Sequence, residues 1–197
     1  NVANSGDTII VRDGTYTENV DVTKGLIVIK SEKGADLTTI QAADSNDHVI
    51  EIVVPNVSLT GFTIKGATDK KKAGIYLNAV TGCNIGGNHC ANNYAGVGFY
   101  LSNDNLIANN ILDSNSQAGI GIYKSYGNSI SKNVFSNNPY GIAVSVEESG
   151  VCAAAEAMSY DVDRGIITSA SSNEMLCSLR EFRDKKEGKS EGKNEFF

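Results

Sequence analysis

Apolar residues along this chain alternate with small or polar ones, and the alternating runs return at a nearly fixed interval. Gly74, Gly96, Gly119 and Gly141 are spaced by 22, 23 and 22 residues. The first and third positions after each are apolar: Ile75 and Leu77, Val97 and Phe99, Ile120 and Ile122, Ile142 and Val144. The residues between them are Tyr76, Gly98, Gly121 and Ala143. A period of two is that of a strand with one face inward and one outward. An isoleucine follows eleven residues after each of the first three glycines, at Ile85, Ile107 and Ile130. Asparagines come next in step, first Asn88, Asn110 and Asn133, then Asn93, Asn115 and Asn138. Between these two asparagine columns runs a further apolar one, Cys90, Leu112 and Phe135.

Columns in register at this period predict stacked coils of roughly 22 residues, too short for a helix-containing repeat. One coil buries about five large side chains, worth roughly 1.5–3 kcal/mol each. Ordering its backbone costs about 1–2 kcal/mol per residue. A coil therefore folds only against its neighbours, pairing strands above and below and closing a shared core. Equivalent strands one coil apart run parallel, and such connections are right-handed in nearly all cases. The expected fold is all-β, a right-handed parallel β-helix over residues 1–150. Ile75, Leu77, Ile85, Val97, Phe99, Ile107, Leu112, Ile120, Ile122, Ile130 and Phe135 should line one core. The recurrent asparagines are expected at left-handed backbone positions in the turns, with their amides bonded to one another along the axis.

Earlier coils are less regular. TIIV (8–11), LIVI (26–29), TTIQA (38–42) and VIEIVV (49–54) are β-rich runs between Gly, Asp, Asn and Lys. The segment VSLTGFTI (57–64) aligns with the later pattern, Phe62 taking the asparagine position and Ile64 the inward one. Residues 6–22, GDTIIVRDGTYTENVDV, resemble the opening coil of the NosD-like and pectin-lyase-like β-helix families, and the asparagine-rich repeats resemble those that follow it there. The resemblance implies the fold. It implies no single activity, because such repeats serve polysaccharide lyases, epimerases, hydrolases and non-catalytic envelope proteins. NosD is a periplasmic accessory in copper loading. This chain has two histidines (His48, His89), two methionines and no clustered ligands, so copper binding is not carried over with the likeness.

The repeat stops near Gly150. Residues 152–158, CAAAEAM, lack branched side chains and read as helix. Ser171 to Glu174 forms a capping-box pattern before Met175, Leu176, Leu179 and Phe182 at helical spacing. The string LREFRD (179–184) resembles a helix in a small C-terminal module of prokaryotic surface proteins. Residues 151–184 are thus expected to be a short α-helical C-terminal segment, either an end cap over exposed strand edges or a partner-binding element. Residues 185–197 are expected to be a charged tail.

Charge alters the functional picture. The net charge is −6, which disfavours nucleic acid or an anionic membrane surface as partner. No apolar run approaches the roughly 20 residues of a membrane-spanning helix. The chain begins with Asn and carries no signal peptide, so it reads as a processed or excerpted piece. Its expected location is secreted, cell-surface or periplasmic. The four cysteines (Cys83, Cys90, Cys152, Cys177) are too few and too irregular for a disulfide framework or a zinc site. Cys90 shares an inward column and Cys83 a turn column with Asn105 and Asn128, so the two should not be bonded to each other. A Cys152–Cys177 bridge stays open.

A β-helix enzyme acts through outward side chains of adjacent coils. Hydrolysis needs two carboxyls, and lyase chemistry needs a base and a cation. The outward columns Tyr76/Gly98/Gly121/Ala143 and Asn78/Tyr100/Tyr123/Ser145 contain none of these. Asp104, Asp113, Lys124 and Lys132 are scattered. Asp36, Asp44, Asp47 and Glu51 are either a weak calcium site or solvated loop carboxylates. No catalytic, cofactor or metal residues are assigned. Tyr100 and Tyr123, one coil apart, either stack along the solenoid or form with Asn78 and Ser145 a strip suited to a polysaccharide. The first reading is a non-catalytic surface or secreted module, glycan-binding or structural. The alternatives are a fragment of a carbohydrate-active enzyme and a NosD-type accessory for copper-site maturation.

Overall fold

The computed structural model describes residues 3–145 and the two short strands Tyr160–Asp161 and Ile166–Ile167. Six coils of three strands each make up the body. The first holds β1 (Thr8–Val11), β2 (Gly14–Thr17) and β3 (Val20–Val22), and the second β4 (Val28–Ser31), β5 (Thr38–Gln41) and β6 (Ile50–Ile52). The third holds β7 (Ser58–Thr60), β8 (Thr63–Lys65) and β9 (Ala73–Asn78). The fourth holds β10 (Asn84–Gly86), β11 (His89–Ala91) and β12 (Ala95–Tyr100), and the fifth β13 (Leu106–Ala108), β14 (Ile111–Asp113) and β15 (Ala118–Tyr123). The sixth holds β16 (Ser129–Ser131), β17 (Asn133–Ser136) and β18 (Tyr140–Ser145).

Every third strand stacks in parallel, giving three sheets: β1-β4-β7-β10-β13-β16, β2-β5-β8-β11-β14-β17 and β3-β6-β9-β12-β15-β18. The registers are those of the sequence columns. Ile85 pairs with Ile107 and Ile107 with Ile130, Cys90 with Leu112 and Leu112 with Phe135, Phe99 with Leu77 and Ile122. All eleven residues expected in the core are buried, and they join one cluster that reaches back to Val22 and Ile27. Phe62 and Ile64 fall where the alignment puts them, Ile64 opposite Cys90.

The asparagine ladders form, but their backbone differs from expectation. Asn88, Asn110, Asn133, Asn93, Asn115 and Asn138 are absent from the positive-φ positions. The residue before each takes that conformation: Gly87, Asn109 and Lys132 in one corner, Asn92, Ser114 and Asn137 in the next. A left-handed residue turns the chain so that the following side chain enters the stack. That side chain bonds inside the stack, which is why the regular asparagine spacing falls on it. Asn110 Nδ2 donates to the Ile85 carbonyl at 2.9 Å and to Asn133 Oδ1 at 2.9 Å, while Asn110 Oδ1 accepts from the Asn88 backbone N–H at 3.0 Å. Buried turn amides that no strand satisfies thus find partners. At the third coil the ladders end on the backbone N–H groups of Phe62 and Ala67, where apolar side chains replace asparagine.

The repeat glycines are a matter of space, since none of Gly74, Gly96 and Gly119 has positive φ. A Cβ on Gly96 would lie 2.6 Å from the Gly119 carbonyl oxygen and 3.0 Å from Leu112 Cδ2; one on Gly119 would lie 2.5 Å from Phe135 Cδ1. Here the chain passes close against the next coil and the core.

Beyond the sixth coil, Ile166–Ile167 pairs antiparallel with Asn133 and Val134 of β17, and Tyr160–Asp161 pairs antiparallel with it in turn. The helices expected within 151–184, the tail 185–197 and Cys152 and Cys177 lie outside the described residues.

Candidate functional site

The third sheet turns two columns outward. Its longer strands, six residues each from β9 onward, give the broadest flat face of the solenoid. One column reads Glu51, Tyr76, Gly98, Gly121, Ala143. The other holds Asn78, Tyr100 and Tyr123, and the backbone of Ser145 continues its register opposite Tyr123. The rings of Tyr100 and Tyr123 stack with centroids 5.6 Å apart and planes 8° from parallel, and both residues are half-buried. Their inner faces therefore cover each other. Any ligand meets the pair elsewhere than on those inner faces.

Three features beside the strip were not legible in the sequence. Asn78 Nδ2 donates to Glu51 Oε1 at 2.9 Å, so the amide end of the strip is tied to a carboxylate on the previous coil. The Lys124 ammonium lies 5.3 Å from the Tyr123 ring centroid. The strip's own side chains are uncharged, yet charge of each sign stands next to it. Finally, His48 stacks on Tyr76 at 3.9 Å and 3°, with its Nδ1 accepting the Ala73 backbone N–H at 3.0 Å. Burial, and then Lys72, push the imidazole down to about 4 against the pull of Asp47, so the ring is neutral. Burial foremost, then Glu51 and Tyr100, push the Tyr76 hydroxyl up to about 12. Tyr76 leans across Gly98, where a Cβ would come within 2.9 Å of its Cδ2. Stacked ring pairs thus occur twice, His48 with Tyr76 and Tyr100 with Tyr123.

Other chemistry-bearing residues stay apart. Asp104 and Lys132 occupy left-handed corners, with φ of 54° and 55°, as does Lys124 beside the strip, with φ of 47°. Asp113 is held by Ser136 Oγ at 2.7 Å, Asn137 Nδ2 at 2.8 Å and Ser114 Oγ at 3.0 Å; the Ser136 bond leads in keeping its carboxyl below the usual range. Asp44 and Asp47 accept local backbone N–H groups from Asn46 and His48. Among the described residues no three His, Cys, Asp or Glu side chains converge on a metal-sized site. Cys83 and Cys90 are free, buried thiols.

A protein family described as "Periplasmic copper-binding protein (NosD)" matches residues 1–194. A curated relative, "Cell surface glycoprotein" of Methanothermus fervidus, is 42% identical over 87 residues, 44% of this chain and 13% of that protein. Among solved structures, pectin methylesterase PemA from Erwinia chrysanthemi is 13% identical over 78% of this chain and 61% of that one, with a TM-score of 0.46. A pectin methylesterase from Yersinia enterocolitica is 15% identical over 64% and 55%, with a TM-score of 0.32. The chain spans less than two thirds of each, and likeness at this level assigns no activity.

The family description implies copper, and the described residues do not fit it. Copper favours imidazole and soft sulfur ligands held together. His48 lends its Nδ1 to a backbone N–H and its face to Tyr76. Cys90 is wholly enclosed, its thiol pushed up to about 12 by burial, and burial likewise raises Cys83. His89 Nε2 is enclosed without a hydrogen-bond partner, but among the described residues no group of three His, Cys, Asp or Glu forms around it.

Proposed function

The chain belongs to the NosD family, and we propose that its solenoid is a non-catalytic extracytoplasmic module that holds a glycan along Asn78, Tyr100, Tyr123 and Ser145. The stacked pair Tyr100–Tyr123 carries this reading. A tyrosine has two side-chain torsions to lose on binding, and a ring already packed against its neighbour has lost much of that freedom. Strand spacing sets the two tyrosines about 5 Å apart along the axis, so a polymer lying along the solenoid meets one and then the other. The family description and the name of the Methanothermus relative both favour a place outside the cytoplasm. Glycoside hydrolysis uses two carboxyls about 5–10 Å apart, whereas the strip adjoins Glu51, which is engaged by Asn78.

A glycan array probed with the purified protein tests the proposal, with Tyr100→Ala/Tyr123→Ala as the paired control. Binding should fall at least tenfold in the double variant while the far-ultraviolet circular dichroism is unchanged. Retention of a neutral glycan should change little between 50 and 500 mM salt, roughly a threefold change in screening length. Equal binding by parent and double variant would refute the assignment.

A further inference from the structure

Asn56-Val57-Ser58 is the one Asn-X-Ser/Thr acceptor sequence in the chain, despite its wealth of asparagine. The ladder asparagines Asn88, Asn93, Asn110, Asn115 and Asn133 are buried with their amides engaged in the stack. Asn56 is built differently. It occupies the corner leading into β7, in the column Leu26, Asn56, Gly82, Asp104, Gly127, all of positive φ and all exposed. Its backbone N–H donates to the Thr81 carbonyl at 3.0 Å, and Val57 beside it is 1% exposed, so the corner is anchored from within. The side chain points away from that anchor. Its Oδ1 lies over Gly82, where any Cβ would collide with it, and its Nδ2 makes no hydrogen bond to a described residue.

We propose that Asn56 is a site of N-glycosylation. The donor is a lipid-linked diphosphate oligosaccharide. A bond forms from Asn56 Nδ2 to the anomeric carbon, the bond from that carbon to the phosphate oxygen breaks, the lipid diphosphate leaves with the electron pair, and the amide proton passes to the transferase's base. The Ser58 hydroxyl supplies the third position that such transferases read. Ser58 opens β7 with its neighbours Val28 and Asn84 on either side, so the hydroxyl is most accessible before the coils close. The folded corner then accepts the product, since the attached sugar displaces no ladder bond and no core side chain. Asn56 lies at the entry to the first sheet and the tyrosine strip on the third, so loss of modification and loss of glycan binding are separable.

The test is peptide mapping of the protein isolated from its native producing cells. Tryptic peptide 34–65 should carry a glycan mass on Asn56. The modification should vanish in Asn56→Gln and in Ser58→Ala and persist in Ser58→Thr, with all variants made in the same cells. Ser58→Ala keeps the asparagine, so its loss of modification separates sequence recognition from misfolding when its circular dichroism matches the parent. An unmodified peptide in the parent protein would overturn the proposal, and so would a glycan that persists in Ser58→Ala.

Discussion

Replacing Asn110 by alanine removes the middle rung of one of the two three-asparagine ladders. Its Oδ1 accepts from the Asn88 N–H at 3.0 Å and from Asn88 Nδ2 at 3.3 Å. Its Nδ2 donates to the carbonyls of Ile85 and Ala108 and to Asn133 Oδ1. Some partners have a second bond: Asn133 Oδ1 still accepts from the Asn110 N–H, and Asn88 Nδ2 still donates to Leu59. The Asn88 N–H has no other acceptor and is left buried and unpaired, at a cost of about 1–3 kcal/mol. With the lost amide bonds and the space left behind, the expected total is roughly 2–4 kcal/mol. Asn110→Asp sharpens the test. Aspartate keeps the acceptor but faces three oxygens that Nδ2 formerly served, so its carboxyl is pushed above the usual range. A raised folded value stabilises below the unfolded pKa and is lost as pH rises through the folded one. The Asp variant should lie nearest the parent in acid and fall furthest behind at neutral pH. Urea midpoints at unchanged m-value, measured against the parent at each pH, give the comparison. A loss below 0.5 kcal/mol in the alanine variant, on the order of a neutral surface change, would show that the ladder carries no stability.

Phe99→Ala should cost about 3–5 kcal/mol through the cavity it leaves, Phe99 being fully buried; a urea-derived loss under 1 kcal/mol would place the ring outside the core. Gly96→Ala should lower Tm by the equivalent of about 1–3 kcal/mol, because its Cβ meets backbone that cannot yield; an unchanged Tm refutes the close approach. Cys83 and Cys90 should resist iodoacetamide at pH 8 in the native protein and react fully in urea, as burial and raised thiol values require; rapid native labelling counts against this. His48 has a folded value near 4 against an ordinary 6.5. Its contribution is therefore present above 6.5 and lost as pH falls through about 4, and His48→Gln should flatten that part of the stability–pH curve.

Period alone carried the fold. Gly74, Gly96, Gly119 and Gly141 with their trailing apolar pairs set strand direction, coil length and core membership, because equal coils place like residues one above another. For the same reason the register of Asn78, Tyr100, Tyr123 and Ser145 is legible in the sequence. Tertiary structure decided what period cannot express. Counting residues locates a corner but not the φ of each member, so the count points to the ladder asparagines for the left-handed position, whereas it belongs to the residues before them. In the second and third coils, connections of unequal length between β5 and β6 and between β8 and β9 break the count. That hid the stacking of His48 on Tyr76 and the bond from Asn78 to Glu51. Side-chain direction decided the rest: two tyrosines in one column can present faces or edges to solvent, and only packing between coils turned their faces toward each other.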